Sequence, residues 1–308
     1  MGRIDVHTHV VPPDWARALA AAGQNSGGWA IPEWSAAAHL AQLDRHGIDT
    51  AVLSLTNPGP QVGTRNPVDV ARAANDFTAE AVKDRPDRFG QFATLPQSDV
   101  DASLAELARA YDDLHADGIV LLSSTAGVYL GDPSLAPLWD ELNRRAAVVF
   151  VHPANGPYPM LPDTPYPLLD FTFDTTRTAV NLVVNGVLAR CPNVRVILSH
   201  AGGYLPYVAQ RVIGGVPLAR PGLTAESIAT DLRRFYFDTA LSSAPGTLRL
   251  LLEFAEDGHV LFGSDWPFAP EQWSALITRQ LDDYPDYAPG QLAAINRGNA
   301  EALFPGLA

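Results

Sequence analysis

The chain of 308 residues predicts a single-domain (β/α)8 barrel over residues 1–308 on three observations. Eight apolar runs alternate with helical patterns, as in a sheet wound one strand and one helix at a time. The runs are near-continuous in Val, Ile, Leu and Phe and are bounded by Gly and Pro, which suits parallel strands buried on both faces. Neither a G-x-G-x-x-G turn nor a P-loop follows an early run, and this sets aside the doubly wound open sheet, the other fold with the same alternation.

The first run, Ile4–Val6, leads directly into His7-Thr8-His9. A Gly/Pro/Trp-rich insertion follows from about Val11 to Trp34, and Ser35 opens a helical pattern with Leu40 and Leu43 on one face. Thr50–Leu55 and Phe89–Leu95 are the next two runs. Asp101 to His115, with Leu104, Leu107, Ala108 and Tyr111 at helical spacing, precedes the fourth, Gly118–Leu122. After the fifth, Val148–Val151, comes a second long irregular insertion, about Ala154 to Phe173, and then a helical pattern from Thr175 to Arg190 built on Ala179, Leu182, Val183 and Val187. Val194–Leu198, Phe235–Phe237 and Val260–Phe262 complete the set. Both insertions are rich in aromatics and prolines and are expected to form a lid or wall at the barrel mouth.

Composition narrows the function. Net charge is −13 and no Lys/Arg run occurs, which argues against a general grip on nucleic acid phosphates. No apolar stretch is long enough to span a bilayer and no charged leader precedes an apolar signal region, so a soluble cytoplasmic protein is expected. The one cysteine, Cys191, forms no internal disulfide and reads as a small packing residue. The one lysine, Lys83, falls in a helical pattern, so no lysine stands at a strand end to act as a Schiff base or a bridging carbamate. No G-x-S-x-G elbow marks a serine hydrolase.

The informative residues are the polar ones that end the apolar runs. Residues two apart on a strand share a face, so His7 and His9 can present two imidazoles to one metal ion. Three further runs end in His152-Pro153, in His200-Ala201-Gly202-Gly203 and in Asp265-Trp266-Pro267. In a (β/α)8 barrel those carboxyl ends converge on the mouth where chemistry is done. Each residue alone reads as ordinary packing; four histidines and an aspartate at matching ends read as a metal site. Nitrogen donors with a carboxylate suit Zn2+ or Mn2+ better than Ca2+ or Mg2+.

With these residues in place, the chain resembles the amidohydrolase superfamily, in its amidohydrolase-2 branch around α-amino-β-carboxymuconate-ε-semialdehyde decarboxylase. The resemblance is collinear: IDVHTHVVP, GDP and LNRRAAVVFVHP, FDTTRTAVNLVVNGVLARCPNVRVILSHAGGYLP, then FGSDWPF and NRGNAEALFP. The PEWSAAAHLAQLDRHGID and FDTTR segments look most like the 6-methylsalicylate decarboxylase group. The resemblance implies one Zn2+ or Mn2+ ion held by His7, His9, His152 and Asp265, with His200 close by. The segment after the fourth run, Gly118 to Ser124, offers no lysine for a second ion.

It further implies non-oxidative decarboxylation of a small aromatic acid, 6-methylsalicylate or a similar hydroxybenzoate, chelated to the ion, with Asp265 or His200 passing a proton to the ring carbon. Arg211 matches a position from which an arginine reaches a neighbouring subunit's substrate carboxylate, which implies a homodimer or larger assembly. Arg177 is a second carboxylate-binding candidate. Trp29, Trp34, Tyr158, Phe171, Trp266 and Phe268 are the aromatics expected to line the pocket, with Trp266 beside Asp265 foremost among them. The branch's arginine in the first insertion has no counterpart between Gly27 and Trp34, which favours an aromatic monocarboxylate over a dicarboxylate semialdehyde. Three alternatives share the same ligand set: a metal-dependent hydrolase of an amide or lactone working through activated water, a hydratase of an unsaturated dicarboxylate, and a non-catalytic metal-binding scaffold.

Overall fold

The computed structural model describes residues 2–307. Its main sheet has eight strands in simple chain order, all parallel: β1 (Arg3–Val10), β2 (Ile48–Leu55), β3 (Phe89–Thr94), β4 (Gly118–Leu122), β5 (Val148–His152), β6 (Arg195–Leu198), β7 (Tyr236–Asp238) and β8 (Val260–Leu261). Each expected run is one of these strands. Sheet closure is irregular. Between β8 and β1 the backbone joins through Val6 N to Phe262 O at 3.0 Å, Asp265 N to His7 O at 2.8 Å and His9 N to Trp266 O at 2.8 Å. The seam of the barrel therefore runs through the residues that were singled out in the sequence.

Inside the barrel, Ile4, Val6, Val52, Phe92, Val120, Val148, Phe150, Ile197 and Leu261 form one apolar plug, closed from below by Ala300, Leu303 and Phe304. A second, larger core fills the space between sheet and helices, with Leu43, Leu53, Leu107, Trp139, Leu182 and Phe237 among its buried members. Two nested layers of this kind are what a barrel strand buried on both faces supplies.

The helices follow the strands in turn, and their ends show why they start and stop. Ser35 is the cap of Ala36–His46, accepting from Ala38 N at 3.2 Å, and Gly47 ends that helix at φ 63°. Asp99 caps Val100–Asp112 in the same way. Two sequence expectations need correction. The first insertion is not irregular throughout, because Pro13–Ala21 is a helix with proline at its first position and Trp15 and Leu19 buried. The pattern read as one helix from Thr175 to Arg190 starts earlier, at Asp170, and is two helices, Asp170–Val184 and Val187–Arg190, separated where Gly186 turns left-handed at φ 69°. No helix among the described residues is long and apolar enough to cross a membrane.

Phe150 links the plug to the mouth, stacking on Phe92 at 5.4 Å and meeting the His7 ring edge-on at 4.9 Å. Phe150→Ala is expected to cost about 3–5 kcal/mol by opening a cavity beneath the site, read as a lower denaturant midpoint.

Candidate active site

His7 and His9 owe their position to an irregularity in β1. Its register against β2 shifts between Asp5 and Thr8, so strict alternation is interrupted there. Ile4 and Val6 belong to the interior plug, and the His7 ring touches that plug as well. His152 is the last residue of β5, whereas His200 and Asp265 lie just beyond β6 and β8 in left-handed backbone, φ 53° and 58°. Such conformations are costly for residues with a Cβ and persist where the surroundings impose them.

One donor atom each from His7, His9, His152 and Asp265 lies within 4.8 Å of the others, and all four residues are buried. His7 Nε2 and His9 Nε2 are 3.2 Å apart, and Asp265 Oδ1 lies 3.3 Å and 3.1 Å from them. The opposite ring nitrogens are all engaged. His7 Nδ1 donates to Asp238 Oδ2 at 2.8 Å, and His152 Nδ1 donates to Pro153 O at 2.8 Å. Ser54 Oγ gives its own hydrogen to Thr8 O at 3.1 Å, so it accepts from His9 Nδ1 at 3.0 Å. With Nδ1 donating in every case, three Nε2 lone pairs and a carboxylate converge on one point. That donor set fits a divalent ion, and second partners of this kind commonly orient metal-binding imidazoles.

Electrostatics tell the same story. Burial disfavours charge on His7, yet the flanking Asp238 and Asp265 carboxylates outweigh it and push this imidazole up to about 10. Burial likewise opposes charge on Asp265, but the His7 charge and hydrogen bonds from His200, His7 and His9 hold its carboxyl well below the usual range. His152 is held well below the ordinary imidazole value by burial and then by His9 and His7. The site thus favours positive charge between Asp238 and Asp265.

Asp238 is the residue that sequence reasoning missed. It ends β7 as His152 ends β5, and besides holding His7 its Oδ1 accepts from His200 N at 3.0 Å and Ala240 N at 2.9 Å. Gly263 makes the close approach possible: a Cβ there would stand 2.8 Å from the Cβ of His7 and 3.2 Å from that of Asp238. His39 was also missed. It accepts from Trp34 Nε1 at 3.1 Å, so its other nitrogen donates to Thr8 Oγ1 at 3.1 Å, and that hydroxyl donates to Trp266 O at 2.9 Å. Burial holds His39 down at about 3, neutral, as a fixed tie between β1 and the Asp265 turn.

His200 Nε2 lies 3.4 Å from Asp265 Oδ2, and its Nδ1 is buried without a hydrogen-bond partner. Both residues line a pocket at the mouth with His152 and Thr56. Its walls are Ser26 and Trp29 from the first insertion, Pro167 and Phe171 from the second and its helix, and Leu241, Phe268 and Trp273. The two insertions meet where Tyr166 N donates to Gly27 O at 2.9 Å.

Not every expected residue is brought here. Trp266 turns its ring onto His39, 4.3 Å away, and contributes its carbonyl rather than its face to the site. Trp34 is occupied by His39 and Tyr158 by Asp174, with Tyr158 donating at 3.2 Å. Arg177 stands outside the pocket, over the rings of Tyr129 and Phe173 at 5.1 Å and 5.5 Å, because the cation finds aromatic faces there. Arg211 is exposed on Leu205–Ala219, also outside the pocket of its own chain. Lys83 is exposed and pairs with Glu80 at 3.3 Å.

A parallel eight-stranded barrel with a buried cluster of three histidines and an aspartate at the carboxyl ends of its strands defines a class, that of barrel proteins built around a candidate single-metal centre. More narrowly, the chain belongs to the amidohydrolase family: the family model described as Amidohydrolase matches residues 4–306. It is 39% identical over 319 residues to a 6-methylsalicylic acid decarboxylase of Penicillium expansum, covering 100% of this chain and 97% of that one. A solved structure described as an amidohydrolase II superposes with a TM-score of 0.92 at 29% identity, over 99% of this chain and 100% of the other. A 2,6-dihydroxybenzoate decarboxylase, solved in complex with 2,6-dihydroxybenzoate, gives 0.79 at 26% identity, with 99% of each chain covered.

Two outcomes are expected. Asp238→Asn removes the charge behind His7 and should weaken Zn2+ affinity about 10–100-fold, read by competition with a chelating dye. Metal must displace the proton that His7 otherwise keeps up to about pH 10, so Zn2+ affinity should rise with pH across the neutral range and binding should release protons, read by calorimetry in buffers of different ionisation enthalpy.

Proposed function

We propose that this protein is a mononuclear metal-dependent decarboxylase of a small aromatic carboxylic acid, 6-methylsalicylate or a similar hydroxybenzoate, acting without an oxidant. The observation that carries the reading is the convergence of four buried donors beside a pocket walled by aromatic and aliphatic side chains. Similarity over the full chain to a named 6-methylsalicylic acid decarboxylase supports the choice of chemistry. The hydrolytic alternative has no comparable support.

His7, His9, His152 and Asp265 would hold one Zn2+ or Mn2+ ion. Bound there, the ion supplies Lewis acidity, attracting the oxygens of a 2-hydroxybenzoate and offsetting their charge. The chain's own part begins with Phe171, Phe268, Trp29 and Trp273, which exclude water and offer apolar contact to the ring. His200 and Asp265, 3.4 Å apart, are the pair placed to hold and pass a proton. Protonation of the carboxyl-bearing ring carbon leaves that carbon tetrahedral; the bond to the carboxylate then breaks, its electron pair restores the aromatic ring, and CO2 departs. Asp238, through the backbone of His200, keeps the donor in register.

Among the described residues no Lys or Arg lines the pocket, and in this reading the carboxylate-binding arginine comes from a second copy. Arg211 is assigned that role in a homodimer or larger assembly. Its helix presents Tyr207 and Leu218 to solvent at 79% and 86% exposure, an apolar face of the kind subunit contacts cover. The reading places the enzyme in the cytoplasm, where its one thiol stays reduced.

CO2 release from 6-methylsalicylate and related hydroxybenzoates is expected from protein reconstituted with Zn2+ or Mn2+ and absent from the chelated protein; no release from any acid with metal bound would overturn the reading. His200→Ala should lower kcat by about 10²–10⁴-fold while metal content holds. Arg211→Ala should raise KM for the acid and leave metal content unchanged.

A further inference from the structure

The pocket wall contains one residue whose backbone is held in a conformation its side chain disfavours. Leu241, three residues beyond the end of β7, has φ 53° and lines the pocket with His200 and Asp265. A branched aliphatic residue in left-handed backbone is strained, and such strain persists where neighbouring structure imposes it. Here the imposing structure is visible. Asp238 Oδ1 accepts from Ala240 N at 2.9 Å, and Ser242 N donates back to Thr239 O at 3.1 Å, so Leu241 sits at the apex of a turn tied down on both sides. Asn and Gly accept this backbone more readily than Leu does, so its conformation alone does not account for leucine at this place.

Strand order says what the side chain faces. β7 lies between β6 and β8 in the sheet, so the turn beyond it stands between His200 and Asp265. Resting on the decarboxylase reading above, a 2-hydroxybenzoate directs its carboxylate and hydroxyl to the donor cluster and receives its proton at the carboxyl-bearing carbon. The second ortho position of the ring is adjacent to that carbon on the side away from the hydroxyl. Leu241 lines the pocket beside His200 and Asp265, and its aliphatic side chain would be the surface that a substituent at that position meets.

We propose that Leu241 is a specificity-determining residue that selects an apolar group, such as methyl, over a hydroxyl at the second ortho position of a 2-hydroxybenzoate. A hydroxyl placed against the Leu241 side chain loses its water on that face without gaining a partner there, whereas a methyl group gains contact. Asn keeps the branch at Cγ in a smaller side chain, accepts left-handed backbone and brings a donor and an acceptor, so Leu241→Asn introduces polarity at the same place. Leu241→Gly relieves the backbone and removes the contact altogether.

The test measures kcat/KM of the Zn2+-loaded and Mn2+-loaded protein for 6-methylsalicylate and for 2,6-dihydroxybenzoate, together with inhibition constants of the product phenols, 3-methylphenol and resorcinol. The wild type is expected to favour the methyl compounds in both readouts. Leu241→Asn should lower the methyl-to-hydroxyl ratio by about tenfold or more, and Leu241→Gly should lower it too, with metal content unchanged. If both variants bind metal and melt like the wild type but keep the wild-type ratio, Leu241 has no selective role and the proposal is overturned. If one variant fails to fold, the other decides. If the metal-loaded wild type releases CO2 from neither acid, the parent reading fails and takes this one with it.

Discussion

Three imidazole nitrogens and a carboxylate oxygen within 4.8 Å of one another cannot share buried space unless positive charge stands among them. Every neighbouring feature serves that constraint. Each imidazole spends its other nitrogen on an acceptor fixed by the barrel wall: the Asp238 carboxylate, the Ser54 hydroxyl or the Pro153 carbonyl. The rings therefore cannot turn away from one another to relieve the crowding, and the plug beneath them, through Phe150, leaves His7 no room to retreat.

Asp238 joins two jobs in one carboxylate. One oxygen holds His7, and the other holds the backbone of His200 and of the turn that carries Leu241. The donor cluster, His200 and the pocket wall are thereby referred to a single fixed group at the end of β7. Precision at a site usually depends on such supporting contacts as much as on the residues that touch the substrate.

Most of the frame was legible in the sequence because it rests on local pattern. Apolar runs gave the eight strands, and His7, His9, His152, His200 and Asp265 could be placed at the mouth because each ends a run. Asp238 obeys the same rule after Phe235–Phe237 and was passed over because that run is short and carries no histidine. What local pattern does not carry is direction. Trp266 neighbours Asp265 in the chain, but its ring is drawn onto His39, a partner far away in sequence, and the wall position goes to Phe268 and Trp273. Arg177 left the expected pocket for a similar reason, since aromatic faces from three separate segments surround its guanidinium. The break at Gly186 and the helix at Pro13–Ala21 were hidden because amphipathic spacing continues across the first, and the second is short and lies between Pro12 and a glycine-rich stretch.

The irregular seam between β8 and β1 has a consequence for biosynthesis. His9 and Asp265 face each other across it although 256 residues separate them in the chain. On the ribosome the two histidines of β1 are made long before their carboxylate partner, which follows His9 by 256 residues. The four donors therefore come together only after Asp265 has been made, when the segment beyond β8 pairs with β1.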